Sequence, residues 1–337
     1  MPVAAESVKP APPPTRTPTP VGSPWWQRRE PILALLLVLL VLVVTAVRPG
    51  FLTLQNLRDL LANSAAPLVV AAGMTALIIA GGIDISVGSS LALCAVLAGV
   101  LAKAGWPLPL VALAAMAGGA ALGALNGTLV AGLRIPPIVA TLATMSGLRG
   151  AHIWITEGYW VRDLPETYTA FGRALFFGLP AIAWVAWATA ALIGVALART
   201  RPGRQCYAVG SHPRAAELAG IRPRRVLFRA YVVLGTLVGL AAVLTTVRFN
   251  FIQENLGEGF ELSVITAVVV GGTNIFGGQG TVAGTMLGAL LLAILPLALA
   301  YLQTATGLRA HWEPAVQGVL ILLAVLWDSL SRPRRER

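Results

Sequence analysis

Charge is scarce in this chain. Of its 337 residues only 12% are Asp, Glu, Lys or Arg, against 56% hydrophobic, and the mean hydropathy is +0.76. A soluble domain carries roughly 25% charged residues. The charge available cannot clothe a surface that faces water on all sides, so lipid must be the outer solvent. Cysteine is nearly absent. Cys94 lies in an apolar run and Cys206 beside arginines, a spacing that gives neither a disulfide framework nor a metal site. The three histidines, His152, His212 and His311, stand in separate loops or at element ends without a ligand-spaced neighbour. No metal is expected from them, and no nucleophile–base set for a membrane enzyme is in view. A Gly-x-x-x-x-Gly-Lys-Ser/Thr loop is missing too, so the chain itself cannot cradle ATP. No cofactor is expected.

What charge there is leans positive, with a net of +11. Arginines scattered between apolar segments mark topology rather than nucleic-acid binding. Residues 1–30 are rich in Pro, Ala and Thr and read as a disordered cytoplasmic tail. Trp25 and Trp26 suit a membrane interface, and Arg28 and Arg29 precede a retained first span. Apolar runs of span length predict ten elements: 31–48, 57–80, 86–104, 107–125, 127–151, 178–198, 226–248, 261–275, 281–303 and 312–330. The fifth is broken by Pro136-Pro137 and the eighth is short. The expected fold is therefore all-α, a polytopic transmembrane helix bundle of about eight to ten spans with Gly/Pro-broken helices, occupying residues 31–330.

Between 199 and 229 eight arginines face one acid, Glu217, and the tail 331–337 is basic again. Positive loops stay inside, so both regions and both termini are expected in the cytoplasm of a bacterial inner membrane. The segments 152–177 and 249–260, which hold Glu157, Asp163, Glu166, Glu254 and Glu258, then face outward.

Two apolar segments break at paired glycines, Gly81-Gly82 and Gly271-Gly272. At membrane depth irregular backbone is tolerated only where protein covers it or water fills a cavity, and paired interruptions point toward a transport path. A tight helix-to-helix turn would account for them as well. Small residues also recur at fourth positions (Gly119, Gly123, Gly127; Gly235, Gly239; Gly280, Gly284, Gly288), a spacing for close helix packing in lipid. Asp84 is the one acid inside the glycine-rich membrane segments; it can cap the following helix or contact a solute. An ion-coupled secondary transporter is the alternative function, but it needs buried titratable groups on its path, and only Asp84 is offered. Asp84, Asn126, Thr141, Thr144 and Asn274 are the polar pathway candidates, being polar residues at interrupted or broken elements.

The basic loop 203–225 contains a short helix. Pro213 suits its first turn, Ser211 its cap, Ala215, Ala216, Glu217 and Leu218 its body, and Gly220 its stop. A small-residue helix on a basic loop has a shape suited to a partner's groove.

Here a family resemblance enters. Gly203–Arg225 resembles the coupling loop of ABC importer permeases, with Ala215-Ala216-Glu217-Leu218-Ala219-Gly220-Ile221 similar to the pattern of the sugar branch. Gly81–Ser89, Asn126-Gly127 with Arg134–Met145, and Gly271-Gly272-Thr273 with Gly277–Gly280 resemble the same branch, which takes in ribose, xylose, rhamnose and autoinducer-2 permeases. The resemblance implies a permease for a monosaccharide or related small polyol-like solute, or for autoinducer-2 itself. It implies cytoplasmic ABC ATPase subunits docked on Ser211–Gly220, a second permease copy or paralogue, and a periplasmic or lipid-anchored sugar-binding protein.

Overall fold

The computed structural model describes residues 29–306, with isolated positions as far as Leu322. Nearly all of the two tails and most of the expected tenth span, 312–330, lie outside the described residues.

The described residues form helices almost throughout: α1 (Arg29–Val47), α2 (Leu54–Ile79), α3 (Val87–Lys103), α4 (Leu108–Gly127), α5 (Pro137–Thr156), α6 (Glu166–Arg173), α7 (Ala181–Arg199), α8 (Arg201–Ser211), α9 (Pro213–Leu218), α10 (Pro223–Thr246), α11 (Phe260–Val270) and α12 (Val282–Thr306). The sheet content is one hairpin, β1 (Leu175–Phe176) and β2 (Leu179–Pro180), with Leu175 opposite Pro180. Among the described residues six helices are long and apolar enough to cross a membrane: α1, α2, α4 with its continuation to Gly132, α7, α10 and α12. α3 and α11 are shorter apolar helices. Large apolar side chains such as Leu35, Leu113 and Leu192 are more than half exposed around the bundle, which water would not tolerate and lipid does. The chain is a multi-pass membrane protein.

α2 is the axis of the bundle. Past its polar first turns it is apolar nearly all round, and from Ser64 to Ile79 all but Pro67 is buried beneath α7, α10, α11 and α12. The largest helix contact is α4 on α10, and the glycine stripes explain it. A methyl on Gly119 would meet the carbonyl of Gly235, and one on Gly239 the carbonyl of Ala115. Only hydrogen side chains let these backbones touch. Gly284 and Gly288 meet Gly271 and Ala267 in the same way between α12 and α11.

Boundaries differ from the sequence reading in places. The expected eighth element, 261–275, already ends at Val270 as α11. The expected fifth span, 127–151, is not one element. Residues Thr128–Gly132 continue α4 as a π-helical turn, sealed by the Leu133 amide on the Thr128 carbonyl at 2.9 Å. Arg134 then turns left-handed (φ 63°), Pro136 is extended, and α5 starts with Pro137 at its first turn. The two prolines remove the amides that would have joined the halves.

The two ends of the bundle differ in charge. At the acidic end, loops are stitched together: Val161 bridges Ile252, the Leu164 amide donates to Asn250, and His152 bonds the Glu254 carbonyl at 2.9 Å. Arg149 donates to the Leu256 carbonyl at 2.9 Å. Tyr168 of α6 shares a 2.6 Å hydrogen bond with Thr246, and burial pushes its hydroxyl up to about 12. It therefore stays protonated at any physiological pH. The opposite, arginine end carries α8, α9 and both glycine breaks.

Candidate functional site

The arginine end is built on an elbow. Thr200 closes α7 and caps α8, its hydroxyl accepting from the Gly203 amide at 3.3 Å. α8 runs to Ser211, and extended His212 (φ −151°, ψ 90°) turns the chain into α9. Pro213 opens α9 as the sequence predicts, but the cap position is His212; Ser211 is the last residue of α8. The reason is that α8 is a full helix where the sequence suggests loop. Gly220 (φ 80°) ends α9, and the Ile221 amide closes back on Ala216 at 3.0 Å. Ala216 turns into the bundle, while Ala215, Glu217 and Leu218 point away. Leu218 is 92% exposed.

Both glycine breaks converge on the end of α8. The Gly278 amide donates to the Ile79 carbonyl at 2.9 Å, tying the α11–α12 loop to the last residue of α2. A methyl on Gly277 (φ 89°) would stand 3.3 Å from both the Gly210 and Gly81 Cα atoms. Three stretches of main chain thus meet where no side chain fits. Tyr207, one turn earlier on α8, donates to the Gly280 carbonyl at 2.8 Å. Asn274 shapes this loop, its Oδ1 accepting from the Phe276 amide at 3.0 Å. Gly271 packs against Gly284 of α12, and Gly272 (φ 91°) starts the turn.

A second cluster holds the α2–α3 break from within. Asp84 Oδ1 accepts from the Ser86 amide at 2.8 Å and hydroxyl at 2.7 Å. Asn126 of α4 donates through Nδ2 to Asp84 Oδ2 at 3.0 Å and to Ser86 Oγ at 2.8 Å. Tyr231 of α10 donates to the Ile83 carbonyl at 2.8 Å. All four side chains are buried or nearly so. Among the described residues Asn126 Oδ1 finds no partner, but the five hydrogen bonds of the set hold its backbone rigidly. Asp84 therefore shapes the turn before α3, while Ser86 occupies the cap position without a side-chain cap bond.

The pathway candidates are only partly brought together. Asp84 and Asn126 touch. Thr141 and Thr144 lie on α5 and bond their own helix, to Pro137 at 2.8 Å and to Thr141 at 3.2 Å. Asn274 lies at the arginine end. Tyr207, Gly210 and Tyr231 escaped the sequence reading. So did a cavity of about 440 Å³ at the acidic end, largely apolar (Leu91, Leu244, Phe260, Leu262) but with Asn63, Thr245, Arg248, Glu258 and Ser263 also in its lining. Arg248 donates to Asn63 across it at 2.7 Å. Among the described residues no group of three or more His, Cys, Asp or Glu could hold a metal ion.

A lipid-embedded bundle with broken helices, a cavity at one end and an exposed elbow helix at the other is the build of a membrane transport subunit. The chain belongs to the family described as "Branched-chain amino acid transport system / permease component", whose pattern matches residues 56–325. It is similar to the autoinducer 2 import system permease protein LsrC of Salmonella choleraesuis (strain SC-B67), 34% identical over 309 residues, covering 92% of this chain and 88% of that one. The LsrC of Escherichia coli O9:H4 (strain HS) is 34% identical over 316 residues, covering 92% and 90%. No solved structure matches the chain. The chain is thus a permease component of an ABC importer, a transport subunit, and the expected sugar and autoinducer-2 branch is borne out.

Proposed function

We propose that this permease translocates a small, polyhydroxylated solute of the monosaccharide class, delivered by a binding protein, with α9 as the docking helix for an ABC ATPase. The observation that carries this reading is α9 itself: it presents Leu218, 92% exposed, on an arginine-flanked loop. An apolar side chain left in water on a short rigid helix suits a protein groove. In this reading the arginine end faces the cytoplasm, and a second permease copy or paralogue completes the path.

The mechanism follows from what α9 is joined to. Closure of an ATPase pair moves α9, and α8 carries the motion to the Ile79–Gly278 and Tyr207–Gly280 hydrogen bonds. Those bonds hold the inner ends of α2 and of the α11–α12 loop. The elbow thereby tilts two helix sets together, a rigid-body rocking that exchanges outward and inward openings. Asp84 and Asn126 spend their side chains on Ser86 and one another, so their role is to hold the α2–α3 break stiff. Thr141, Thr144 and Asn274 remain the proposed polar contacts of the path.

Autoinducer-2 is the second reading for the solute, favoured by the names of the relatives, which are autoinducer 2 import permeases. The test is uptake into proteoliposomes holding this chain, the neighbouring ATPase and the binding protein, with labelled ribose, xylose, rhamnose and autoinducer-2 offered in turn. ATP-dependent uptake of one of them supports the reading and names the solute. Uptake driven by a proton gradient without ATP would replace it with a secondary transporter.

A further inference from the structure

Beside the elbow, α7 and α10 both pack on α2 and leave a groove between them. The wall from α7 is Ile193, Ala196, Leu197 and Thr200; that from α10 is Val226, Arg229, Ala230 and Val233. Each set follows the i, i+3, i+4, i+7 spacing of one helix face. Ala76 of α2 forms the back, and the start of α8, including Gly203 and Cys206, closes the polar end. Alanine and glycine at the contact positions leave about 160 Å³ open, almost wholly apolar. Its volume and apolar lining suit a short stretch of hydrocarbon chain.

The rim is charged. Arg229 lines this groove and also an adjoining pocket of about 390 Å³ that holds Thr128, Gly132, Arg225 and Phe228. Among the described residues no acid lines either space. Arg225 and Arg229 stand one helical turn apart. Among the described residues, neither guanidinium makes an intramolecular side-chain hydrogen bond or ion pair. An apolar slot with Arg229 on its rim and Arg225 one turn away in the adjoining pocket, at the level where an apolar helix becomes basic, asks for an amphipathic anion.

We propose that the α7–α10 groove binds one acyl chain of an anionic phospholipid whose phosphate rests on Arg225 and Arg229. Charge complementarity selects this occupant. A zwitterionic lipid leaves the rim uncompensated, and free phosphate leaves the slot empty. Because α8 closes the groove, the bound lipid touches the same elbow that holds the glycine breaks. Anionic lipid content then tunes transport. The lipid assignment stands or falls apart from ATPase docking on α9, since its test needs neither nucleotide nor partner.

Cys206 supplies the probe. It lines the groove, whereas Cys94, the other cysteine, is 2% exposed. The full chain is placed in nanodiscs of phosphatidylcholine, alone or with phosphatidylglycerol, and the rate of N-ethylmaleimide labelling at Cys206 is measured. Native mass spectrometry of the same protein counts retained lipids. Each arginine contributes about 1 kcal/mol toward an anionic headgroup, so a roughly thirtyfold preference for phosphatidylglycerol is expected. Phosphatidylglycerol should slow labelling and remain bound. R225Q/R229Q should abolish both effects, and Ala196→Leu, which fills the slot while keeping the arginines, should abolish the retained lipid. The proposal is overturned if labelling is equal in both lipids, or if protection survives the double variant, as a mere surface-potential effect would. It is also overturned if inorganic phosphate protects Cys206 as well as lipid does.

Discussion

Gly210→Ala puts one methyl into the junction where α8 meets both glycine breaks. That methyl would stand against the Ile79 carbonyl oxygen, 2.6 Å from the Gly278 nitrogen and 2.9 Å from the Ile79 carbonyl carbon. All three are main-chain atoms, so none can swing aside, and two of them are the partners of the Gly278–Ile79 hydrogen bond. Overpacking of this kind costs about 1–3 kcal/mol, and the lost hydrogen bond about 1 more. The better helix propensity of alanine returns a little under 1. A net of about 1–3 kcal/mol between elbow and bundle corresponds to roughly a 5–150-fold change in coupling. In proteoliposomes with ATPase and binding protein, the ratio of solute imported to ATP hydrolysed should fall by that factor while hydrolysis persists. Gly194→Ala on α7 is the control, because its methyl meets Val282 at an ordinary 3.5 Å. An unchanged ratio for Gly210→Ala would refute the reasoning. So would hydrolysis and import falling together with no loss of folded protein.

Tyr207→Phe removes only the 2.8 Å bond to Gly280; its import-to-hydrolysis ratio should fall roughly two- to tenfold, a lesser effect from the same junction. Asn126→Ala strips the Asp84 carboxylate of a buried donor and should cost about 1–3 kcal/mol, read as a lower midpoint of thermal unfolding in detergent. Asn126→Asp should be worse, because two carboxyl groups would then meet in a buried site. Gly119→Ala drives a methyl into the Gly235 carbonyl and should cost about 1–3 kcal/mol by the same measurement. Gly194→Ala should not lower the midpoint, and the better helix propensity of alanine should raise it slightly.

The spans were legible because lipid demands long apolar runs, and the glycine stripes because helices in lipid need small residues to touch. The Pro136-Pro137 break was legible too, but not its consequence: that Thr128–Gly132 would stay with α4 as a π-helical turn depends on packing against α10. α8 was missed for a local reason. Its sequence opens Arg-Pro-Gly and reads as loop, yet Pro202 sits in the first turn and Gly203 is needed there to clear the Leu197 carbonyl. The convergence of Gly81, Gly210 and Gly277 had no local signal at all. Those residues are far apart in the chain, and each break looks like an ordinary turn until the third backbone is laid against it. The same holds for Asp84 and Asn126, 42 residues apart, whose partnership turns an apparent helix cap into a brace. Tyr231 gave no sign either, since a lone tyrosine in an apolar helix resembles any interfacial residue.

Leu218 offers the most direct measurement. With p-benzoylphenylalanine in its place, illumination of cells expressing the whole transporter should join this chain to the ATPase subunit, with a yield that changes when nucleotide hydrolysis is blocked. A cysteine at 218 that reacts with a membrane-impermeant reagent from outside intact cells, and no covalent product with the ATPase, would contradict the assignment of α9 as the point where work enters the bundle.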